Sequence, residues 1–261
     1  METTTINRIN QLFQNKKDVL SVYYTAGFPK LDNTLEIAQN LEKAGADIIE
    51  IGMPFSDPVA DGPTIQESNK IALDNGMTIK LLFDQIKNIR ESVSIPIILM
   101  GYINPVIQFG IENFCKSCEE VGVDGLILPD LPMAEYMAVY KEKFEAHGLK
   151  NVFLITPQTS ESRIKEIDNN TDGFIYMVSN ASTTGAKGDF SEEQLVYFDR
   201  IKQMSLGNPT LIGFGISNNS TYSQACEYSS GAIIGSAFIK FLGSEGTSED
   251  SIKKFVKDIK G

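Results

Sequence analysis

Short apolar runs rich in β-branched residues recur along the chain, and segments of helical periodicity separate them. The runs VLSVYY (19–24), DIIEI (47–51), IPIILM (95–100), DGLILP (124–129), NVFLIT (151–156), GFIYMV (173–178), PTLIGF (209–214) and AIIG (232–235) read as strands. Apolar positions three and four apart predict helices over LDNTLEIAQNLEKAG, TIKLLFDQIKNIRES, IENFCKSCEEVG, MAEYMAVYKEKFEAHG and SEEQLVYFDRIKQM. Gly45, Gly122 and Gly148 stand where helix C-termini favour glycine.

Eight strands, nearly all followed by a helix, predict a (β/α)8 barrel. The rival is an open doubly wound sheet, which places a glycine fingerprint after its first strand. Here TAGFPKLD follows the first strand and is no such fingerprint. The leading segment TINRINQLFQNK reads as a helix able to plug the barrel bottom. With no Pro/Gly/Ser linker and no internal repeat, residues 1–261 read as one domain. Two connections are long, Ile51 to Ile95 and Val178 to Pro209. Both leave carboxyl ends of strands, and long loops in such places are more often functional than idle.

Composition narrows the classes. At 261 residues and 42% apolar the chain can bury a substantial core, and the net charge of -11 argues against nucleic acid or an anionic membrane surface. METTTINRIN has no apolar signal core, and no apolar run nears the roughly 18 residues of a membrane span. Cys115, Cys118 and Cys226 are too few and too odd in number for a disulfide framework. Cys115 and Cys118 form a C-x-x-C, but in a helical stretch without a second ligand pair. A cytoplasmic protein is expected.

Glu50 ends the second strand. Ile49 and Ile51 share one face of it, which suits the helix layer, so Glu50 and Ile48 should point into the barrel. A carboxylate there loses hydration and its pKa rises towards the working pH, as a general acid/base requires. A structural glutamate paired with a buried base is the alternative, although no basic residue ends a neighbouring strand. Asp61, before Gly62 and Pro63, reads either as a turn or helix-start residue or as a second catalytic carboxylate. GFGIS (213–217) and IIGSA (233–237) follow the seventh and eighth strands, whose loops commonly bind phosphate through glycine amides. Ser236 could add a hydroxyl and Gly185, in the sixth loop, could close over the same phosphate. The lone His147 reads as a surface helix-end residue, which removes Ser-His-Asp hydrolysis and His-rich metal sites.

At PFSDPVADGPTIQ (54–66) the chain resembles the tryptophan synthase alpha subunit family. The likeness extends through TAGFP (25–29), EIGMPFSDPVADGPTIQ, LPDLP (128–132), YMVSNASTTG (176–185), GFGIS and IIGSA. It implies a (β/α)8 barrel that cleaves indole-3-glycerol phosphate into indole and glyceraldehyde 3-phosphate without metal or Schiff base. It also implies a beta-subunit partner in an alpha2-beta2 complex, with pyridoxal phosphate held by that partner and no cofactor in this chain. By the same resemblance Glu50 is the general acid/base and Asp61 the second carboxylate. Tyr23, Ile65, Met100, Tyr176 and Ile233 meet the substrate, and Thr184 bonds the Asp61 position when the sixth loop closes. Gly185, Gly213, Phe214, Gly215, Gly235 and Ser236 form the phosphate cradle, while Pro54, Asp57 and Pro58 face the partner. Two departures stand out: Tyr23 where relatives often carry Phe, and Asn180 where many carry an arginine that could clamp the closed loop. A free-standing lyase and a regulatory binding module are the other readings.

Overall fold

The structure is a computed structural model that describes residues 6–58, 61–179 and 189–261. Its eight strands are β1 (Val19–Thr25), β2 (Ile48–Gly52), β3 (Ile97–Met100), β4 (Gly125–Ile127), β5 (Lys150–Ile155), β6 (Ile175–Val178), β7 (Thr210–Gly213) and β8 (Gly231–Ile234). They pair in chain order into a closed barrel, β8 returning to β1, and every pairing is parallel. Closure in sequence order with helices between strands is the (β/α)8 architecture expected from the pattern.

The strands are apolar almost throughout because both faces are covered. Outward positions Leu20, Val22, Tyr24, Ile49, Ile51, Ile97 and Leu99 pack against the surrounding helices in one large cluster. Inward positions Val19, Ile48, Ile98, Ile127, Val152, Tyr176, Leu211 and Ile233 form a second cluster inside the barrel. Ile9 joins this interior set from the helix Arg8–Asn15, with Leu12 and Phe13 packed beside it. That helix closes the barrel from below, as the leading segment suggested. It is pinned there by Asn7, whose amide donates to the carbonyls of Asp124 and Gly148 at 2.9 and 2.8 Å.

A buried charge holds the same end together. The Asp124 carboxylate, 3% exposed, accepts from Arg8 Nη1 at 2.9 Å, from the Ile97 amide at 2.8 Å and from Arg90 Nη2.

Helix boundaries follow the expected punctuation. Asn33–Ala44 and Ile111–Val121 end at Gly45 and Gly122 with φ of 92° and 78°, left-handed values that glycine adopts without steric cost. The segment predicted as one helix over 133–148 runs as helix to Ala146 with a π-helical turn at Tyr136–Tyr140. The predicted strand 124–129 stops at Ile127, where the chain turns and the Leu131 amide bonds back to the Leu128 carbonyl at 3.0 Å.

Candidate active site

Glu50 lies inside the barrel, wholly buried, level in register with Tyr23 on β1 and Ile98 on β3. Its neighbours Ile49 and Ile51 pack outward and Ile48 inward, as the alternation of the strand requires. Oε1 accepts a hydrogen bond from Ser21 Oγ at 2.6 Å, and Oε2 is buried with no hydrogen-bond partner among the described residues. Loss of hydration pushes the carboxyl up to about 7, against the smaller opposing pull of the Ser21 bond.

Asp61 stands on the loop after β2, just ahead of the helix Pro63–Asp74, which starts with Gly62 as its cap and proline at its first position. Its Oδ2 accepts from the Tyr102 hydroxyl at 3.1 Å, and the Gln66 side chain holds its carbonyl at 2.8 Å. Burial raises this carboxyl too, while the Tyr102 bond lowers it. Tyr102 follows β3, and its ring lies 5.2 Å from that of Phe55 on the loop after β2. Both carboxylates act electrostatically on the same two phenols. Desolvation first, and then the charges of Asp61 and Glu50, raise Tyr23 and Tyr176 above the ordinary tyrosine range. The two acids therefore lie within electrostatic reach of the same pair of buried tyrosines.

Hydroxyls tie that wall to the acid loop. Tyr23 reaches Thr25 Oγ1 at 3.4 Å, Thr25 reaches Ser68 Oγ at 2.7 Å, and Ser68 donates to the Ile65 carbonyl at 2.8 Å within the helix that follows Asp61. Ile65 is thereby fixed in the first turn of that helix. Met100 ends β3, half-buried against both clusters, and Ile233 on β8 sits in the barrel interior with Tyr176.

The two glycine turns leave adjacent strands at the same rim, since β7 pairs with β8. Phe214 has φ of 65°, Gly215 has φ of 90°, and the Phe214 carbonyl accepts from Ser179 Oγ, which clasps the turn after β7 to the end of β6. After β8, Gly235, which has no side chain to bond the first amides, caps the helix Ser236–Glu245, and no acid stands in its first turn. Amides at the positive end of a helix dipole suit an anion such as phosphate. Pro54 and Pro58 are half-buried on the loop after β2, and Asp57 between them is exposed. Thr184 and Gly185, with Asn180, lie outside the described residues.

Ser21, Gly52, Tyr102 and Ser179 belong to this site without having been singled out from sequence. Gly52 makes room for Tyr23, whose hydroxyl oxygen would lie 2.2 Å from a Cβ built there. A polar residue at an inward strand position was the available signal for Ser21. Tyr102 gave none, because its partner is a loop residue 41 positions away.

The remaining candidates are structural. Cys115 and Cys118 are buried in the helix Ile111–Val121, and burial pushes the first thiol up to about 11 and the second well above its usual value. His147 follows the helix Lys141–Ala146 and its Nδ1 lies 2.6 Å from Glu119 Oε2. Among the described residues no helix is long and apolar enough to cross a membrane.

Known proteins share both sequence and shape with this chain. The profile of the family described as tryptophan synthase alpha chain matches residues 9–260. The tryptophan synthase alpha chain of Flavobacterium psychrophilum is 61% identical over 254 residues, covering 97% of this chain and 100% of that one. That of Bacteroides thetaiotaomicron is 54% identical over 256 residues, covering 98% and 100%. Among solved structures, tryptophan synthase subunit alpha from Legionella pneumophila superposes with a TM-score of 0.87 at 32% identity, covering 98% of this chain and 97% of that one. A chain of the tryptophan synthase complex from Pyrococcus furiosus gives 0.84 at 35% identity, covering 94% and 98%. Likeness of this depth, along nearly the whole length of both partners, places the chain in the tryptophan synthase alpha chain family.

Proposed function

We propose that this chain cleaves indole-3-glycerol phosphate into indole and glyceraldehyde 3-phosphate as the alpha subunit of tryptophan synthase, with Glu50 as general acid/base and Asp61 as the second carboxylate. One observation carries the reading. Glu50 is wholly buried, free of any ion pair among the described residues, and raised to about 7, and a second carboxylate, held by a different partner, acts on the same two tyrosines. Two acids in unlike environments can serve two proton tasks.

The reaction is a retro-aldol cleavage. Glu50 delivers a proton to indole carbon three, and Asp61 accepts the ring N–H and stabilises the positive charge that develops on the ring. Glu50, now a base, takes the proton from the side-chain hydroxyl next to carbon three. That carbon–oxygen bond becomes the aldehyde, and the electrons of the breaking carbon–carbon bond restore the aromatic indole. Gly213, Phe214, Gly215, Gly235 and Ser236 seat the phosphate, with Gly185 closing from the sixth loop. This binding is remote from the bond that breaks and serves to orient it. Tyr23, Ile65, Met100, Tyr176 and Ile233 line the indole, and Thr184 meets Asp61 on closure.

Pro54, Asp57 and Pro58 face the beta subunit in an alpha2-beta2 complex, to which indole passes for condensation with serine. Pyridoxal phosphate belongs to that subunit. We place the complex in the cytoplasm, where the three free thiols stay reduced.

The test is indole formation from indole-3-glycerol phosphate by purified chain, with and without beta subunit. Cleavage should be slow alone and accelerate strongly in the complex. Glu50→Gln should lose orders of magnitude in kcat with substrate binding near normal; a Gln variant as fast as the parent removes Glu50 from the mechanism.

A further inference from the structure

Ser21 is wholly buried on the inward face of β1, two residues before Tyr23. Its register partner is Ile48, one inward step below Glu50, so the glutamate leans back along the barrel axis to reach it. The contact at 2.6 Å engages Oε1 alone. Oε2, equally buried, has no hydrogen-bond partner among the described residues. We propose that Ser21 is a positioning residue for cleavage: it holds Glu50 by Oε1 and so leaves Oε2 as the oxygen that exchanges protons with the substrate. This rests on the assignment of Glu50 as the acid/base.

A glutamate has three side-chain torsions, and apolar walls such as Ile48 and Ile98 fix none of them by direction. A hydroxyl donating to one named oxygen does, and it arrives from a rigid, centrally paired strand rather than from a loop. Proton transfer to carbon three and from the adjacent hydroxyl needs one oxygen within reach of both, so a carboxyl free to rotate would spend little time in productive geometry. The same bond favours the ionised carboxylate. Its removal leaves Glu50 holding its proton to higher pH.

Glu50 acts on Tyr23 from β1 and Tyr176 from β6, and Asp61 from the loop after β2 acts on the same two phenols, with Tyr102 bonded to Asp61. The phenols of Tyr23 and Tyr176 are raised and stay neutral across the working range. A shift of the alkaline limb on changing Ser21 therefore reports Glu50 rather than a phenol, while Asp61, which must be ionised, sets the acid limb and receives no bond from Ser21.

The experiment measures kcat and KM for indole-3-glycerol phosphate cleavage from pH 5.5 to 9 in the complex with saturating beta subunit. Ser21→Ala should lower kcat about tenfold with KM nearly unchanged, and move the alkaline limb of the profile, where Glu50 loses the proton it must deliver, up by roughly half a pH unit or more. Ser21→Thr keeps the hydroxyl and should restore both. Should the alanine variant not fold, Ser21→Cys, close in shape and a weak donor, should give the same changes at smaller size. Parental kcat and limb in Ser21→Ala, or in Ser21→Cys where that stands in, overturn the proposal. Glu50→Gln measured alongside separates the two ideas: if it is dead while Ser21→Ala is normal, only the Ser21 role falls; if it is active, the reading of Glu50 falls.

Discussion

The hydroxyl of Tyr176 fills the space that any side chain on Gly213 would need. A Cβ at Gly213 would lie 2.2 Å from Tyr176 Oη and 2.4 Å from its ring. The glycine that opens the proposed phosphate turn is thus also the seat of a phenol in the proposed indole wall. Gly213→Ala must displace Tyr176, and its cleavage kcat/KM should fall at least tenfold, read by indole formation. Combined with Tyr176→Ala, the two changes should cost less stability in urea unfolding than the sum of each alone, because the contact that causes the strain is gone.

Tyr102 is expected to work through Asp61. Tyr102→Phe removes the donor at 3.1 Å, and the already raised Asp61 carboxyl moves higher still. Asp61 must be ionised to accept the indole N–H, so kcat should fall more at pH 6 than at pH 8. A pH profile of kcat in the complex reads this directly, with a loss of about tenfold at the acid end as the expected size.

Ionised Glu50 costs the fold stability. Its native pKa, about 7, lies above the ordinary value of 4.5, so the folded chain holds this proton more tightly than the unfolded one. The contribution is complete below about 4.5 and is lost as pH rises through about 7. Glutamine cannot ionise. Glu50→Gln should therefore unfold like the parent at pH 4 and be more stable at pH 8, by about 3 kcal/mol. Urea denaturation at the two pH values measures the difference, and the variant that loses cleavage gains stability.

Asp124 should matter to folding and leave substrate affinity alone. It lies at the closed end of the barrel, accepting from Arg8, Arg90 and the Ile97 amide. Asp124→Ala strands the Arg90 guanidinium in a half-buried place and should cost about 3 kcal/mol or more in urea unfolding. KM for indole-3-glycerol phosphate should not move.

What could be read from residues alone, and what could not, divides along physical lines. The strands were legible because burial on both faces makes them apolar runs, and the inward turn of Glu50 followed from the two-residue period of DIIEI. Both glycine turns were legible because they directly follow strands. The helices Glu161–Asn170 and Asn219–Tyr228 were not drawn from sequence, since their apolar stripes are thin and polar residues fill most of both segments. The second helix is fixed instead by reciprocal capping between Asn218 and Thr221. Ser21 and Tyr102 depend on partners 29 and 41 positions away, and only the closing of the barrel decides such pairings.

The plug formed by Ile9, Leu12 and Phe13 has a consequence for traffic. A vessel stoppered at its base is left with its opposite mouth for admission and discharge. On the proposed reading, sugar phosphate arriving and heterocycle departing cross the opposite rim, where Pro54, Asp57 and Pro58 stand, so a protein seated there would cover the way in and the way out together.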